Sequence, residues 1–201
     1  VGRKTTRFGA VPATPASGTP AEVAPLTWLR RGRWVLLAFA PSSLLLGVTT
    51  YATTDIAAVP LLWVMPLALY LLSFVIVFQR RPLLPHAWII AAQPFVLFAA
   101  IVPLYWNQKT NVWLMGPLHM ALFFVTAMAC HGELARDRPA ARNLTEFYLW
   151  MSVGGVLGGM FNALVAPQAF TSVVEYPIAI ALASLLRPTL DAGDRWSRWI
   201  D

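Results

Sequence analysis

Asp55, Glu175 and Tyr176 are the residues of this chain best suited by type and setting to handle a cation. Asp55 follows the hydroxyl-rich run Thr49-Thr50-Tyr51-Ala52-Thr53-Thr54, and Glu175-Tyr176-Pro177 interrupts an apolar stretch. A carboxylate at membrane depth needs an ion partner or an aqueous cavity. If the last apolar helix begins at Gln168, Glu175 lies about 10 Å along it. Pro177 then suggests a break that turns Glu175 toward the interior. The expectation is an outward-facing acidic cavity lined by Asp55 and Glu175. Two plainer readings stand beside it: Asp55 as a helix N-cap, and Lys109 neutralising one of the carboxylates.

The remaining nucleophilic and ligating groups are sparse. His119 has no His or Cys three or four residues away, and the neighbours Cys130 and His131 point in different directions on a helix. No zinc set is expected from them, and His119 reads as a core residue bonded to a backbone carbonyl. Cys130 is the only cysteine, so no disulfide can form within the chain. Neither a P-loop, a G-x-G-x-x-G turn, an H-E-x-x-H helix nor a Ser-His-Asp set is present. The expectation is therefore a chain without catalytic residues, metal or cofactor.

Charge is concentrated between Cys130 and Glu146, where Glu133, Arg136, Asp137, Arg138, Arg142 and Glu146 lie. Asn143 with Glu146 has the spacing of a capping pair opening the next helix. The arginines can hold the segment in the cytoplasm or touch anionic lipid. The competing reading is a charge-paired gating or docking loop. Its order of charges resembles the cytoplasmic loop of major-facilitator transporters, with a different spacing. Just beyond it, Gly154, Gly155, Gly158 and Gly159, extended by Ala163, form small-xxx-small pairs. Such a stripe lets another helix approach closely. The expected use is packing within the bundle; a homo-oligomer face is the alternative.

The elements that carry these residues are membrane spans. Of 201 residues, 58% are hydrophobic and 12% are charged, half the charge of an ordinary soluble domain. From Trp34 to Gln79 the only charge is Asp55. A span of about 30 Å needs about 20 helical residues. The expected spans are Trp34–Thr54, Ile56–Gln79, Trp88–Trp106, Val112–Cys130, Glu146–Ala166 and a less regular sixth from Gln168 to Leu186. Trp34, Trp88, Trp106 and Trp113 fall near span ends, as an interfacial belt requires. Residues 1–27, rich in Pro, Ala and Thr, read as a disordered linker. Residues 28–188 are expected to form the membrane domain, and 189–201 a cytoplasmic tail or a linker to a further C-terminal part.

Fourteen of the fifteen Lys and Arg residues fall on one side of such a six-span path, and only Lys109 on the other. By the positive-inside rule both ends are cytoplasmic. The basic pI of about 10.1 is thus a topology signal, and no nucleic-acid partner is expected. The fold class is an all-α polytopic transmembrane helix bundle of about six spans. Its partners are the lipid bilayer and flanking parts of the same polypeptide, because the chain starts on Val1 and ends inside a charged stretch at Asp201.

Two long stretches carry a family resemblance. They are PSSLLLGVTTYATTDIAAVPLLWVMPLALYLLSFVIV, from Pro41 to Val77, and CHGELARDRPAARNLTEFYLWMSVGGVLGGMFNALVAP, from Cys130 to Pro167. They resemble the membrane half of bacterial fused proteins in which a transporter-like membrane region precedes a spermidine-synthase-like domain. The resemblance runs from about Leu26 to Pro188. It implies an inner-membrane module that anchors an aminopropyltransferase-like domain and binds or passes a cationic metabolite such as a polyamine. The chain itself has neither the glycine-rich nucleotide loop nor the acidic catalytic segment of such an enzyme. The alternatives are a transporter half of major-facilitator type and a purely structural membrane anchor.

Overall fold

The computed structural model describes residues 26–53, 63–79, 83–105, 112–169 and 175–185, with the backbone alone at 101–105, 112–113, 175–177 and 179. Among the described residues the chain is all-helical, without strands. The helices are α1 (Trp28–Tyr51), α2 (Val64–Val77), α3 (His86–Tyr105), α4 (Val112–Arg136), α5 (Leu144–Met160) and α6 (Glu175–Leu185). α5 continues through a π-helical stretch, Phe161–Val165, into a last turn, Ala166–Ala169. Three helices, Trp28–Tyr51, Leu114–Arg136 and Ala141–Ala169, are long and apolar enough to cross a membrane. Val64–Val77 and His86–Ala100 are shorter apolar helices.

α1 starts six residues before the expected Trp34. Thr27 caps it, its hydroxyl accepting from the Arg30 N–H at 3.3 Å. Three arginines therefore sit in its first two turns. α4 likewise runs past Cys130 to Arg136, and the Asp137 N–H closes it on the Glu133 carbonyl. The capping pair expected at the start of α5 does not form. Asn143 occupies the N-cap position without a side-chain cap, and Glu146 turns to Arg31 and Trp150 instead. α6 begins at Glu175, so Pro177 lies in its first turn, where a missing N–H costs no helical bond.

α1 is the hub, packing on α5, α4 and α6 and more lightly on α2, while α2 and α3 pack on α4. Contacts fix the directions. Val35 meets Gly154, Phe39 meets Gly158 and Ser43 meets Asn162, so α1 and α5 run parallel. Arg30 and Trp34 reach Asp137 at the far end of α4, and His86 meets Gly132, so α4 is antiparallel to α1 and to α3. Phe78 joins the Trp34 cluster while Tyr70 joins the Leu44 cluster, which sets α2 against α1. Ala183 and Ile180 divide the same way for α6. Helix direction thus alternates from α1 to α6.

The core has two main levels. Trp34, Leu37, Ala38, Ala40, Cys130, Leu134, Phe147 and Ala183 pack near the start of α1. Deeper in, Leu44, Val48, Ala100, Leu122, Phe123, Ala127 and Ile180 form the second cluster. Large apolar side chains such as Phe95, Phe98, Leu71, Val75 and Leu149 face outward. Such an outer surface suits hydrocarbon rather than water.

Candidate functional site

The start of α1 carries charge of the sign its helix disfavours, and so do two carboxylates at the end of α4, beside Arg136. A helix N-terminus is partially positive and a C-terminus partially negative. Yet Arg30, Arg31 and Arg33 open α1, and Glu133 and Asp137 close α4. The residues make sense only across the interface. Arg30 Nε donates to Asp137 Oδ1 at 2.9 Å and its Nη2 to the Asp137 carbonyl at 2.9 Å. Trp34 Nε1 donates to Asp137 Oδ2 at 2.7 Å. Arg33 Nη2 donates to Glu133 Oε2 at 2.7 Å and lies 3.7 Å from Asp137. Arg31 pairs with Glu146 on the first turn of α5, which also accepts from Trp150 Nε1 at 3.3 Å.

Glu133 is the most enclosed of the three carboxylates, its side chain 8% exposed. Its second oxygen, Oε1, accepts from His86 Nε2 at 2.7 Å. Gly132 makes this possible. A Cβ there would sit 2.3 Å from His86 Nδ1, so any side chain would push the ring off α4. Aromatic rings complete the end of the bundle. Arg31 lies over Trp28 at 4.5 Å, Arg30 over Trp34 at 5.3 Å and Arg138 over Tyr148 at 5.9 Å, within cation–π reach. Trp34 meets Phe147 edge-on at 5.0 Å. The result is an ionic cap in which each of these three carboxylates has an arginine.

Below the cap lies a neutral polar layer. Ser73 Oγ donates to the Tyr70 carbonyl at 2.6 Å and lies 2.8 Å from His131 Nδ1. A hydroxyl has one proton. Spending it on the carbonyl makes His131 Nδ1 the donor, so Nε2 carries the lone pair. That Nε2 is buried with no hydrogen-bond partner among the described residues. The ring stacks on Phe74 at 3.8 Å and meets Tyr70 edge-on at 5.2 Å. The Tyr70 hydroxyl lies 3.0 Å from Ser42 Oγ. Next to Ser42, Ser43 accepts from Asn162 Nδ2 in the π-helical stretch of α5. Polar side chains thus link α4, α2, α1 and α5. Nearer the bundle centre Gln93 and Thr126 are buried, with no hydrogen-bond partner for the Gln93 amide or Thr126 Oγ1 among the described residues.

Gly154 and Gly158 lie against α1. A Cβ on Gly154 would meet the Val35 carbonyl oxygen at 2.3 Å, and one on Gly158 the Phe39 oxygen at 2.4 Å. Gly155 comes only near Ser42 Oγ, Gly159 has open space, and Ala163 is exposed. The stripe therefore divides into an occupied face and an open one.

Of the charged segment, Glu133, Asp137 and Glu146 join the cap, and Arg138 covers Tyr148. Arg142 lies in the short 3-10 turn Ala141–Asn143, and Arg136 is exposed at the end of α4. Asp55 lies outside the described residues. Glu175 and Tyr176 open α6 and are described by backbone alone. His119 is buried with its ring 4.6 Å from Tyr51. Cys130 and His131 fall in separate clusters, and among the described residues no group of three His, Cys, Asp or Glu could hold a metal.

Sequence reasoning used Arg30, Arg31 and Arg33 only to count charge, and it missed His86 and Gly132. The available signal was electrostatic: basic residues at one helix start and acidic residues at another helix end. Comparison with protein-family models, with curated proteins and with solved structures finds no match. Function is therefore read from geometry and charge.

Proposed function

We propose that the chain is an integral-membrane module that crosses a bacterial inner membrane about six times, both ends cytoplasmic, and anchors flanking parts of a longer polypeptide there. The observation that carries this reading is the ionic cap. Its arginines lie on the side to which the six-span path read from the sequence assigns fourteen of the fifteen basic residues. Its carboxylates are already neutralised, so this end offers a braced platform rather than an acidic entrance for cations. The alternating helix directions support a serpentine path. α2, at 14 residues, covers about 21 Å, and the sequence immediately before it, 56–63, is apolar.

The sequence resemblance supports a spermidine-synthase-like domain as the attached part. Passage of a cationic metabolite past Asp55 and Glu175 is a finer proposal resting on the sequence. An alkaline carbonate wash of cell membranes tests the anchoring reading. The chain is expected to stay in the pellet and to leave it only with detergent. Release by carbonate alone would contradict the reading.

A further inference from the structure

Between the end of α2, the start of α3 and the end of α4 lies an open-sided cavity of about 310 Å³. Its walls are mainly apolar, with Ile76, Val77, Leu84, Ile89 and Met128. Arg136 stands on its rim at the same end as the ionic cap. Unlike Arg30, Arg31 and Arg33, Arg136 makes no ion pair among the described residues. A cation without an ion pair among the described residues, above an apolar cleft, fits a molecule with an anion at one end and hydrocarbon below it. The volume lies at the lower edge of ligand-holding pockets. Met128 adds a flexible side chain that adapts to a chain of variable shape.

We propose that this cavity holds one anionic phospholipid of the cytoplasmic leaflet, its phosphate on Arg136 and an acyl chain along Ile76, Ile89 and Met128. The proposal rests on the membrane reading, because a bilayer supplies such an occupant sideways between helices. Basic pockets between spans on the cytoplasmic side take lipid headgroups in this way. The cavity wall is also linked to the cap. His86 lines it and is held by Glu133, which Arg33 holds in turn. A lipid seated there braces the mouth formed by α2, α3 and α4.

The test uses the full chain, extracted in mild detergent and reconstituted in vesicles of equimolar phosphatidylcholine and phosphatidylglycerol. After gentle re-extraction, retained lipid is measured by native mass spectrometry. Phosphatidylglycerol is expected to be retained about fivefold over phosphatidylcholine, the preference one arginine near a membrane surface confers. Arg136→Gln should abolish that preference, and the cavity-filling Met128→Trp should reduce retention of both lipids. Arg138→Gln, outside the cavity, should leave the ratio intact, and so should excess inorganic phosphate. Equal retention of the two lipids by the unaltered chain, or a preference that survives Arg136→Gln, overturns the proposal. Displacement by inorganic phosphate overturns a lipid as the occupant. Arg136 is exposed, so its variant keeps the test decisive even if Met128→Trp fails to assemble. A chain that stays dispersed before any detergent is added would sink the membrane reading itself, a result separable from a missing lipid preference.

Discussion

His86 Nε2 lies 2.7 Å from Glu133 Oε1, across 47 residues of chain, with the ring seated on Gly132. Because Arg33 holds the other oxygen, one carboxylate ties the starts of α1 and α3 to the end of α4. Three helices meeting on one enclosed charge is the organising feature of the capped end.

Removing that charge should loosen all three helices. Glu133→Gln keeps the shape but loses two charge-assisted bonds, and should cost about 1–3 kcal/mol. Gly132→Ala should cost a comparable amount, about 1–3 kcal/mol, by forcing the His86 ring away. Unfolding in mild detergent by titrated sodium dodecyl sulfate measures both. Replacement of Arg31, whose partner Glu146 is far more exposed than Glu133, by Gln should have the smaller effect. An unchanged midpoint for Glu133→Gln would remove the cap from the account.

The glycine stripe makes a directional prediction. Gly158→Ala places a methyl group against the Phe39 carbonyl and should cost about 1–3 kcal/mol. Gly159→Ala, one residue on, meets nothing within 4 Å and should be neutral or stabilising by up to about 1 kcal/mol. The same detergent unfolding series separates them. Equal effects would mean that α1 and α5 do not approach through this face.

Much of this architecture was legible in the sequence, and its failures have a common cause. Hydropathy marked the apolar helices, of which three are long enough to cross a membrane, but it began the first span at Trp34 and ended the fourth at Cys130, where charge lies. α1 includes Arg33 and α4 runs on to Arg136 because Arg33 meets Glu133 and Asp137 across the interface. Local spacing likewise assigned Glu146 to a capping pair with Asn143. A charged partner on α1 outcompetes that weak local bond. His86 carried no signal at all, since its partner is distant in sequence and the glycine that admits it looks ordinary. Asp55 lies beyond the described residues, so the acidic-cavity expectation still rests on sequence alone.

The polar layer yields a third prediction. His131→Phe keeps the stack on Phe74 and removes the buried Nε2 lone pair, so stability should hold or rise. Ser73→Ala should cost about 1–2 kcal/mol in the unaltered chain, because His131 Nδ1 loses its acceptor. It should cost much less in the His131→Phe background. A double-mutant cycle in detergent reads the coupling. A large loss on His131→Phe alone would assign the imidazole an essential structural bond.

The central claim is that the capped end of the bundle faces the cytoplasm and that Lys109 does not. Single cysteines at Gly32, Arg138 and Lys109, in a Cys130→Ala background, can be probed on intact spheroplasts with a membrane-impermeant maleimide. Gly32→Cys and Arg138→Cys should label only after the membrane is permeabilised, and Lys109→Cys should label before. Labelling of all three from outside, or the opposite pattern, would contradict the account.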